Sequence, residues 1–497
     1  MIFLVLSGAA LPENLKEIRA YKKHIGGAEL RADFLADPGG EDWPGFFQAL
    51  GELPLILTLR KPEDGGRFCE SEDRRRELFL SLLEKGNFRY IDLEGGVDFP
   101  DVEEAARAKG VRIIRSFHDF TGVPEDLTGR VRSLVRKPGD IPKAAVMPKS
   151  CRDFARLIDA FRDLQDVTKI LLGMGQFGFA ARVLAPRLGS WLTFASPAGD
   201  ALAPGLIDPR TLDTVYRYHS QSPATRVFGI IGSPILHSKS PHIHNPGYTK
   251  LGIDGVYVPF HVDRVEDFLP VVRKLNIEGF SVTVPFKEEI PGFCAHTEDA
   301  VRGTGACNTV KPREDGLYGY NTDVEGFLAP LRAAFPAGLS GLRAAVIGAG
   351  GAARSAVYAL AREGARVLVV NRTAHRARRL CGDIQKALGL CEERVRWVRP
   401  GEQGLALIEE YAQLIVNSTT MGMSPWEDLD PLAARAFRGT ETVYDMVYSP
   451  RETLFLKRAL AAGCAVIYGE QMLMSQAYRQ FYVYTGKELD PSAAYDL

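Results

Sequence analysis

One short run of this chain leaves the backbone few choices. Ala344-Ala345-Val346-Ile347-Gly348-Ala349-Gly350-Gly351-Ala352-Ala353-Arg354 reads as a buried strand, a turn of small residues and the opening of a helix. Gly348, Gly350 and Ala353 occupy the small positions of a G-x-G-x-x-G/A pattern. There they let the turn close, let a pyrophosphate approach backbone N–H groups, and let the helix pack on its sheet. A glycine pattern alone says little. Here a helical pattern at 352–362 and a second apolar strand at 366–370 follow, as a βαβ unit requires. The segment therefore predicts a dinucleotide site, with Gly348, Ala349, Gly350, Gly351 and Ala352 against the cofactor.

The end of that second strand sets which dinucleotide. A carboxylate there would accept from the ribose 2′-hydroxyl of NAD and would repel a 2′-phosphate. The sequence instead has Asn371-Arg372-Thr373, with Arg376 one turn on. Arginines form charge-assisted bonds to phosphate, so the expected cofactor is NADP(H). Solvated arginines beside a helix capped by Thr373 would account for the threonine but not for the missing acid.

At 497 residues the chain exceeds a single core. Apolar runs at 2–6, 28–32, 53–59, 88–93, 111–117, 141–147, 169–174 and 191–195 alternate with amphipathic stretches such as 74–85 and 102–109. Eight such pairs predict a (β/α)8 barrel, although an open doubly wound sheet would alternate in the same way. Polar residues favour the barrel. Glu29, Arg31, Arg60, His118 and Lys143 lie within or near strand ends, and Arg182 follows the seventh strand. In a barrel those ends converge on one mouth. Pro204, Pro209 and Pro223 with His219-Ser220-Gln221-Ser222 mark a boundary near residue 222, and Pro336–Gly341 marks another.

Bulk properties narrow the partners. A net charge of -1 gives no reason to invoke nucleic acid or an anionic membrane, so small-molecule ligands are expected. Seven cysteines without a CxxC pair argue against a disulfide framework or a zinc site and fit a reducing cytoplasm. No metal is expected. The first residues lack the basic region of a signal peptide and read better as a buried strand. No stretch is long enough to cross a bilayer.

Beyond residue 226, further motifs are hard to explain as packing. They are Gly232-Ser233-Pro234-Ile235-Leu236-His237-Ser238-Lys239-Ser240-Pro241, Ser281-Val282-Thr283-Val284-Pro285-Phe286-Lys287, Gly305-Ala306-Cys307-Asn308-Thr309-Val310 and Gly319-Tyr320-Asn321-Thr322-Asp323. With Tyr444-Asp445-Met446-Val447-Tyr448-Ser449-Pro450 and Gln471-Met472-Leu473-Met474-Ser475-Gln476-Ala477, this region resembles the shikimate dehydrogenase family from end to end. The resemblance implies reduction of the 3-ketone of 3-dehydroshikimate by NADPH, with Lys287 and Asp323 as the catalytic pair. It places Ser238 and Ser240 on the substrate carboxylate. Thr283, Asn308, Asp323, Tyr448 and Gln476 would hold the rest of the substrate, and Thr419 and Met446 the cofactor. Phe286 stands where histidine is common, and Pro246 where a helix former is usual. Ser238 favours shikimate over quinate.

The first 215 residues are similar to type I 3-dehydroquinate dehydratase. The matching segments are Glu29-Leu30-Arg31-Ala32-Asp33, Leu57-Thr58-Leu59-Arg60, Ser116-Phe117-His118-Asp119-Phe120, Asp140-Ile141-Pro142-Lys143-Ala144-Ala145-Val146-Met147-Pro148 and Met174-Gly175 through Arg182. The family implies a Schiff base on Lys143 and proton shuttling by His118, with Glu29, Arg31, Arg60 and Arg182 on hydroxyls and carboxylate. An iminium withdraws electrons and acidifies the neighbouring C–H, which a histidine can then take. Two departures stand out. The glutamate that supports the histidine is Asp64 here, with Glu63 beside it. The polar lid is replaced by Leu202-Ala203-Pro204-Gly205-Leu206, which predicts weakened substrate binding.

The expected architecture is α/β: a barrel over 1–222, a substrate-binding domain over 223–335 completed by 470–497, and a Rossmann-like NADP domain over 336–469. The expected function is consecutive: dehydration of 3-dehydroquinate, then NADPH-dependent reduction to shikimate. The alternatives are an active shikimate or quinate dehydrogenase with a degenerate barrel serving as a scaffold, and a non-catalytic NADP sensor.

Overall fold

A computed structural model describes residues 1–198 and 205–489. The chain folds into two compact units. The first comprises Met1–Gly229, Ser233–Pro241 and Tyr248–Ile277, and the second comprises Ile230–Gly232, His242–Gly247 and the chain from Glu278 onward.

The first unit is built on eight strands: β1 (Ile2–Leu6), β2 (Gly27–Arg31), β3 (Leu55–Thr58), β4 (Tyr90–Glu94), β5 (Arg112–Asp119), β6 (Ile141–Val146), β7 (Ile170–Gly173) and β8 (Thr193–Ala195). They pair in parallel in the order β7-β6-β5-β4-β3-β2-β1-β8. The isolated bridge Lys169–Ser190 joins the two ends and closes the barrel. All five residues of β1 are buried, which explains the apolar start of the chain. Phe3, Ile56, Tyr90, Ile114, Ile141, Ile170 and Leu192 fill the interior as a packed core. Ser71, Asp126, Ser150 and Asp208 cap the helices that follow, each accepting a backbone N–H of the first turn.

Two further strands begin after the barrel, β9 (Arg226–Gly232) and β10 (Gly255–His261). Inside the first unit the helix Val265–Leu275 packs on the barrel helix Cys151–Asp163, and β10 packs on the barrel helix Gly175–Val183. Asp263 Oδ1 accepts the Cys151 N–H at 3.1 Å, and Arg152 pairs with Asp267 at 2.8 Å. Pro246 lies within the helix Ser240–Lys250, which runs through it unbroken.

The second unit holds β11 (Ile277–Val282) from its second residue on, with β12 (His296–Thr297), β13 (Thr309–Arg313) and β14 (Gly316–Tyr320). β13 pairs antiparallel with both β11 and β14, and β12 lies parallel to β14. A parallel sheet follows: β15 (Arg343–Ile347), β16 (Arg366–Val370), β17 (Val395–Val398), β18 (Leu414–Asn417), β19 (Thr442–Asp445) and β20 (Ala465–Ile467). Its order, β17-β16-β15-β18-β19-β20, reverses between β15 and β18, the switch point where such sheets bind dinucleotides. The long helices Thr322–Ala334 and Gly469–Thr485 pack together beside it. Among the described residues, no helix is long and apolar enough to cross a membrane.

Candidate active sites

The barrel mouth gathers Glu29, Arg31, Arg60, His118, Lys143 and Arg182 around a cavity of about 100 Å³. The pleat explains part of this. Parallel register sets Thr58 beside Asp92 and Ser116 beside Lys143, so alternate side chains of neighbouring strands point to one interior. Lys143 Nζ lies 2.7 Å from Asp92 Oδ2, 3.4 Å from Glu29 Oε1 and 4.3 Å from the centre of the Phe194 ring. Arg60 contacts Asp92 at 3.0 Å and donates to Ser116 Oγ at 3.3 Å. Burial alone would raise the Asp92 carboxyl, but Arg60 and Lys143 hold it well below the usual carboxylate range.

His118 Nδ1 stands 3.1 Å from Arg60 Nη1 and 3.5 Å from Asp64 Oδ1. Burial, and after it the Arg60 guanidinium, pulls the imidazole down to about 4, so the ring is neutral near pH 7. The two neighbours compete for Nδ1. Donation from Arg60 needs a lone pair there, whereas donation to Asp64 needs a proton there and leaves Nε2 as the basic nitrogen. Of the two candidate acids, Asp64 reaches the histidine, while the exposed Glu63 pairs with Lys61 at 3.2 Å.

Arg31 is turned to Asp33 in a two-pronged pair at 2.9 and 2.7 Å and donates to the Gly65 carbonyl at 3.2 Å. Arg182 differs. It is 3% exposed, and its Nε and Nη1 have no hydrogen-bond partner among the described residues. Burial alone pulls this guanidinium down to about 10. A buried cation left in this state is costly unless an anion arrives to meet it. Leu206 lines the cavity, whereas Leu202 lies outside the described residues. Asp92 and Glu94 join the barrel-mouth residues without belonging to any motif, although two acids inside the apolar strand Tyr90-Ile91-Asp92-Leu93-Glu94 are a visible signal.

In the second unit Lys287 Nζ and Asp323 Oδ2 form an ion pair at 2.6 Å. Asn321 caps the helix Thr322–Ala334 by accepting the Asp323 N–H at 3.1 Å, which puts Asp323 in the first turn, where the helix dipole favours its charge. Asn308 braces the pair. Its Oδ1 accepts the Thr322 N–H at 2.8 Å, which orients the amide so that Nδ2 donates to Asp323 Oδ1 at 2.8 Å and reaches Gln476 Oε1 at 3.4 Å. The Lys287 carbonyl accepts the Cys307 N–H at 2.8 Å, and the Asn308 carbonyl accepts that of Val282 at 2.7 Å. Half-buried Thr283 donates its N–H to the Ile231 carbonyl at 3.0 Å. Phe286, in the place of the usual histidine, is buried. Tyr448 is half-buried, and burial raises its phenol. Ser238 and Ser240 fall in the first unit, where Ser238 Oγ accepts the Ser240 N–H at 3.2 Å.

Around the sheet switch point, Gly348 has φ +116°, and a Cβ there would meet Ser418 Oγ at 2.5 Å. A Cβ on Gly350 would meet nothing within 4 Å, which leaves open space above the turn. A Cβ on Gly351 would lie 3.0 Å from Lys287 Cβ, so the N-terminus of the helix Gly351–Arg362 stands directly against the lysine. Thr419 N–H and Oγ1 both donate to Asn417 Oδ1, at 3.0 and 2.7 Å, and Met446 N–H donates to the Asn417 carbonyl at 2.9 Å. Asn371 Nδ2 donates to the Thr373 carbonyl at 2.9 Å, and Thr373 makes no side-chain cap. Arg372 and Arg376 are exposed and have no ion pair among the described residues. Among those residues no cluster of three His, Cys, Asp or Glu side chains could hold a metal.

Known proteins match in the same places. Residues 2–223 match the type I 3-dehydroquinase family, 230–310 the shikimate dehydrogenase substrate-binding domain, and 331–392 the shikimate/quinate 5-dehydrogenase family. The chloroplastic bifunctional 3-dehydroquinate dehydratase/shikimate dehydrogenase of Arabidopsis thaliana is 33% identical over 493 residues, covering 94% of this chain and 79% of the plant protein. The shikimate dehydrogenase (NADP(+)) of Caldanaerobacter subterraneus subsp. tengcongensis is 36% identical, over 55% of this chain and 96% of its own length. Among solved structures, the shikimate dehydrogenase of Aquifex aeolicus superposes with a TM-score of 0.50 at 33% identity, over 55% of this chain and 97% of its own. A shikimate dehydrogenase solved with NADP+ superposes with a TM-score of 0.50 at 31% identity, over 55% of this chain and 94% of its own. The chain belongs to the family of bifunctional 3-dehydroquinate dehydratase/shikimate dehydrogenases.

Proposed function

We propose that this chain dehydrates 3-dehydroquinate through a Schiff base on Lys143 and reduces the product to shikimate with NADPH at the Lys287–Asp323 pair. The observation that carries the first half is Arg182, a buried guanidinium without a partner among the described residues, in the same cavity as Lys143 and His118. A substrate carboxylate supplies the missing anion. The Lys143 ammonium, held by Asp92 at 2.7 Å and Glu29 at 3.4 Å, gives up a proton to water, and the free amine attacks the ketone. Loss of water forms the iminium. Neutral His118 then takes the acidified proton from the adjacent carbon and returns one to the leaving hydroxyl, which departs as water. Hydrolysis of the resulting imine frees the product and restores the lysine.

In the second half, NADPH supplies the hydride when bound. Charge that develops on the carbonyl oxygen is met by a proton from Lys287, which Asp323 orients from 2.6 Å. Asn308 and Gln476 hold that carboxylate and the substrate hydroxyls, together with Thr283 and Tyr448. The role of Ser238 and Ser240 on the substrate carboxylate, and with it the choice of shikimate over quinate, rests on their motif. The fit to NADP rests on Asn371 in place of an acid and on the exposed Arg372 and Arg376, which have no ion pair among the described residues. Gly348 through Ala352 take the pyrophosphate, and Thr419 and Met446 flank the switch point. The domain limits proposed from the motifs are 1–222, 223–335 with 470–497, and 336–469.

Borohydride treatment in the presence of 3-dehydroquinate tests the dehydratase, with a reduced adduct expected on Lys143 by peptide mass spectrometry. An adduct elsewhere, or none, sinks that half. NADP reduction with shikimate and with quinate tests the other half, and a faster rate with quinate would replace the substrate named here.

A further inference from the structure

We propose that Cys294 and Cys307 form a dithiol, oxidisable by peroxide, whose closure to a disulfide slows the reaction carried by Lys287 and Asp323. The effect on activity rests on reading the second unit as a shikimate dehydrogenase. The existence of the dithiol does not.

Sheet topology brings the two residues together. Cys294 precedes β12 and Cys307 precedes β13, and these strands flank β14, with Gly319 in register with Thr297 on one side and Val310 on the other. Both side chains therefore reach across Gly319. A Cβ on Gly319 would lie 3.0 Å from Cys294 Sγ and 3.1 Å from Cys307 Sγ. Glycine alone leaves the space that the two sulfurs share.

Their surroundings differ as an attacking and a resolving thiol should. Cys294 is half-exposed beside the exposed Ala295 and His296, whereas Cys307 is fully buried. A hydrogen bond from the Cys307 thiol holds Cys294 below the ordinary thiol range, and burial keeps Cys307 well above it. The Cys294 thiolate attacks one peroxide oxygen, the O–O bond breaks, and hydroxide leaves Cys294 as a sulfenic acid. Cys307 sulfur then attacks Cys294 sulfur, the S–O bond breaks, and the second oxygen departs as water with the Cys307 proton. The two thiols lose two electrons, and the hydrogen peroxide becomes two waters.

Cys307 is also wired to the catalytic pair. Its N–H donates to the Lys287 carbonyl at 2.8 Å, and the next residue, Asn308, holds Asp323. Disulfide geometry is strict, so bond formation shifts the Cys307 backbone and carries both contacts with it. A shift of ~1 Å at a reacting group costs up to about a hundredfold in rate.

The test treats the full-length reduced protein with hydrogen peroxide and follows thiols, peptides and both activities. The expected results are loss of two of the seven titratable thiols and a Cys294–Cys307 cross-linked peptide. Shikimate oxidation should fall about tenfold or more and recover with dithiothreitol, while the dehydratase rate holds as an internal control. Cys294→Ser should keep its dehydrogenase rate and become resistant to peroxide. Cys307→Ser should instead accumulate sulfenic acid on Cys294. A cross-link elsewhere, or equal peroxide sensitivity in Cys294→Ser, overturns the proposal. A reduced wild-type protein inactive on shikimate at any peroxide level would instead overturn the functional reading, with the cross-link still scored by mass.

Discussion

The Asp92 carboxylate lies 2.7 Å from the Lys143 ammonium across the barrel interior, and the same oxygen also meets Arg60 at 3.0 Å. One acid on β4 thus anchors both Lys143, the proposed nucleophile, and the arginine beside His118. Asp92→Asn keeps the shape but removes the carboxylate that positions the lysine. Imine formation, followed by rapid-quench borohydride trapping, is expected to slow by up to about a hundredfold as the lysine loses its place. The fold should also lose stability, because Lys143 and Arg60 keep their buried charges; removing one member of a buried pair costs about 3–5 kcal/mol. An unchanged trapping rate would leave Glu29 as the carboxylate that positions the lysine.

Arg182 carries the opposite sign. Among the described residues its guanidinium is buried without an anion, so on the proposed reading the free enzyme bears a desolvation cost that substrate relieves. Arg182→Met is expected to raise unfolding stability by roughly 1–3 kcal/mol. It should also raise KM for 3-dehydroquinate by about 10- to 150-fold, the value of one charge-assisted contact at ~1.5–3 kcal/mol. Denaturant melts and steady-state kinetics on one preparation check both. A variant that loses stability would mean the arginine is structural.

Much of this was legible beforehand because glycine turns, strand alternation and motif spacing are local properties. All eight barrel strands and the sheet around Gly348 fall where alternation and the turn put them. Partners chosen by tertiary packing were not legible. Arg31 at the end of β2 turns to Asp33 two residues on, Asp64 rather than Glu63 reaches His118, and Asp92, visible as an acid inside an apolar strand, meets Lys143 only across the barrel. Pro246 shows packing overriding propensity: a missing N–H costs one helical bond, yet the helix Ser240–Lys250 continues through it.

His118 sets the acid side of the dehydratase. Its imidazole is held at about 4 in the folded protein by burial and Arg60, against ~6.5 when unfolded. Between those values the unfolded chain binds a proton that the folded one refuses, so stability falls as pH drops from ~6.5 toward 4. Base catalysis should persist through that window and fail only near 4. The kcat/KM profile of the dehydration, measured over that range with refolding controls, is expected to show no ionisation near 6.5. A histidine limb at 6.5 would place the ring in a wetter setting than the one described.

The arginines after β16 should decide cofactor choice. Arg372 and Arg376 stand exposed with no ion pair among the described residues, and Asn371 offers no carboxylate to a ribose hydroxyl. Each charge-assisted contact to a 2′-phosphate is worth about 1.5 kcal/mol at such a site, close to tenfold. Replacing both by serine, Arg372→Ser with Arg376→Ser, is expected to raise KM for NADP by roughly a hundredfold and to leave KM for NAD nearly unchanged. Both residues are exposed, so kcat at saturating cofactor should hold. Initial rates of shikimate oxidation with each dinucleotide check this. An equal rise in KM for NADP and NAD would mean the arginines act on something common to both, such as the pyrophosphate, and would move the discrimination elsewhere in the site.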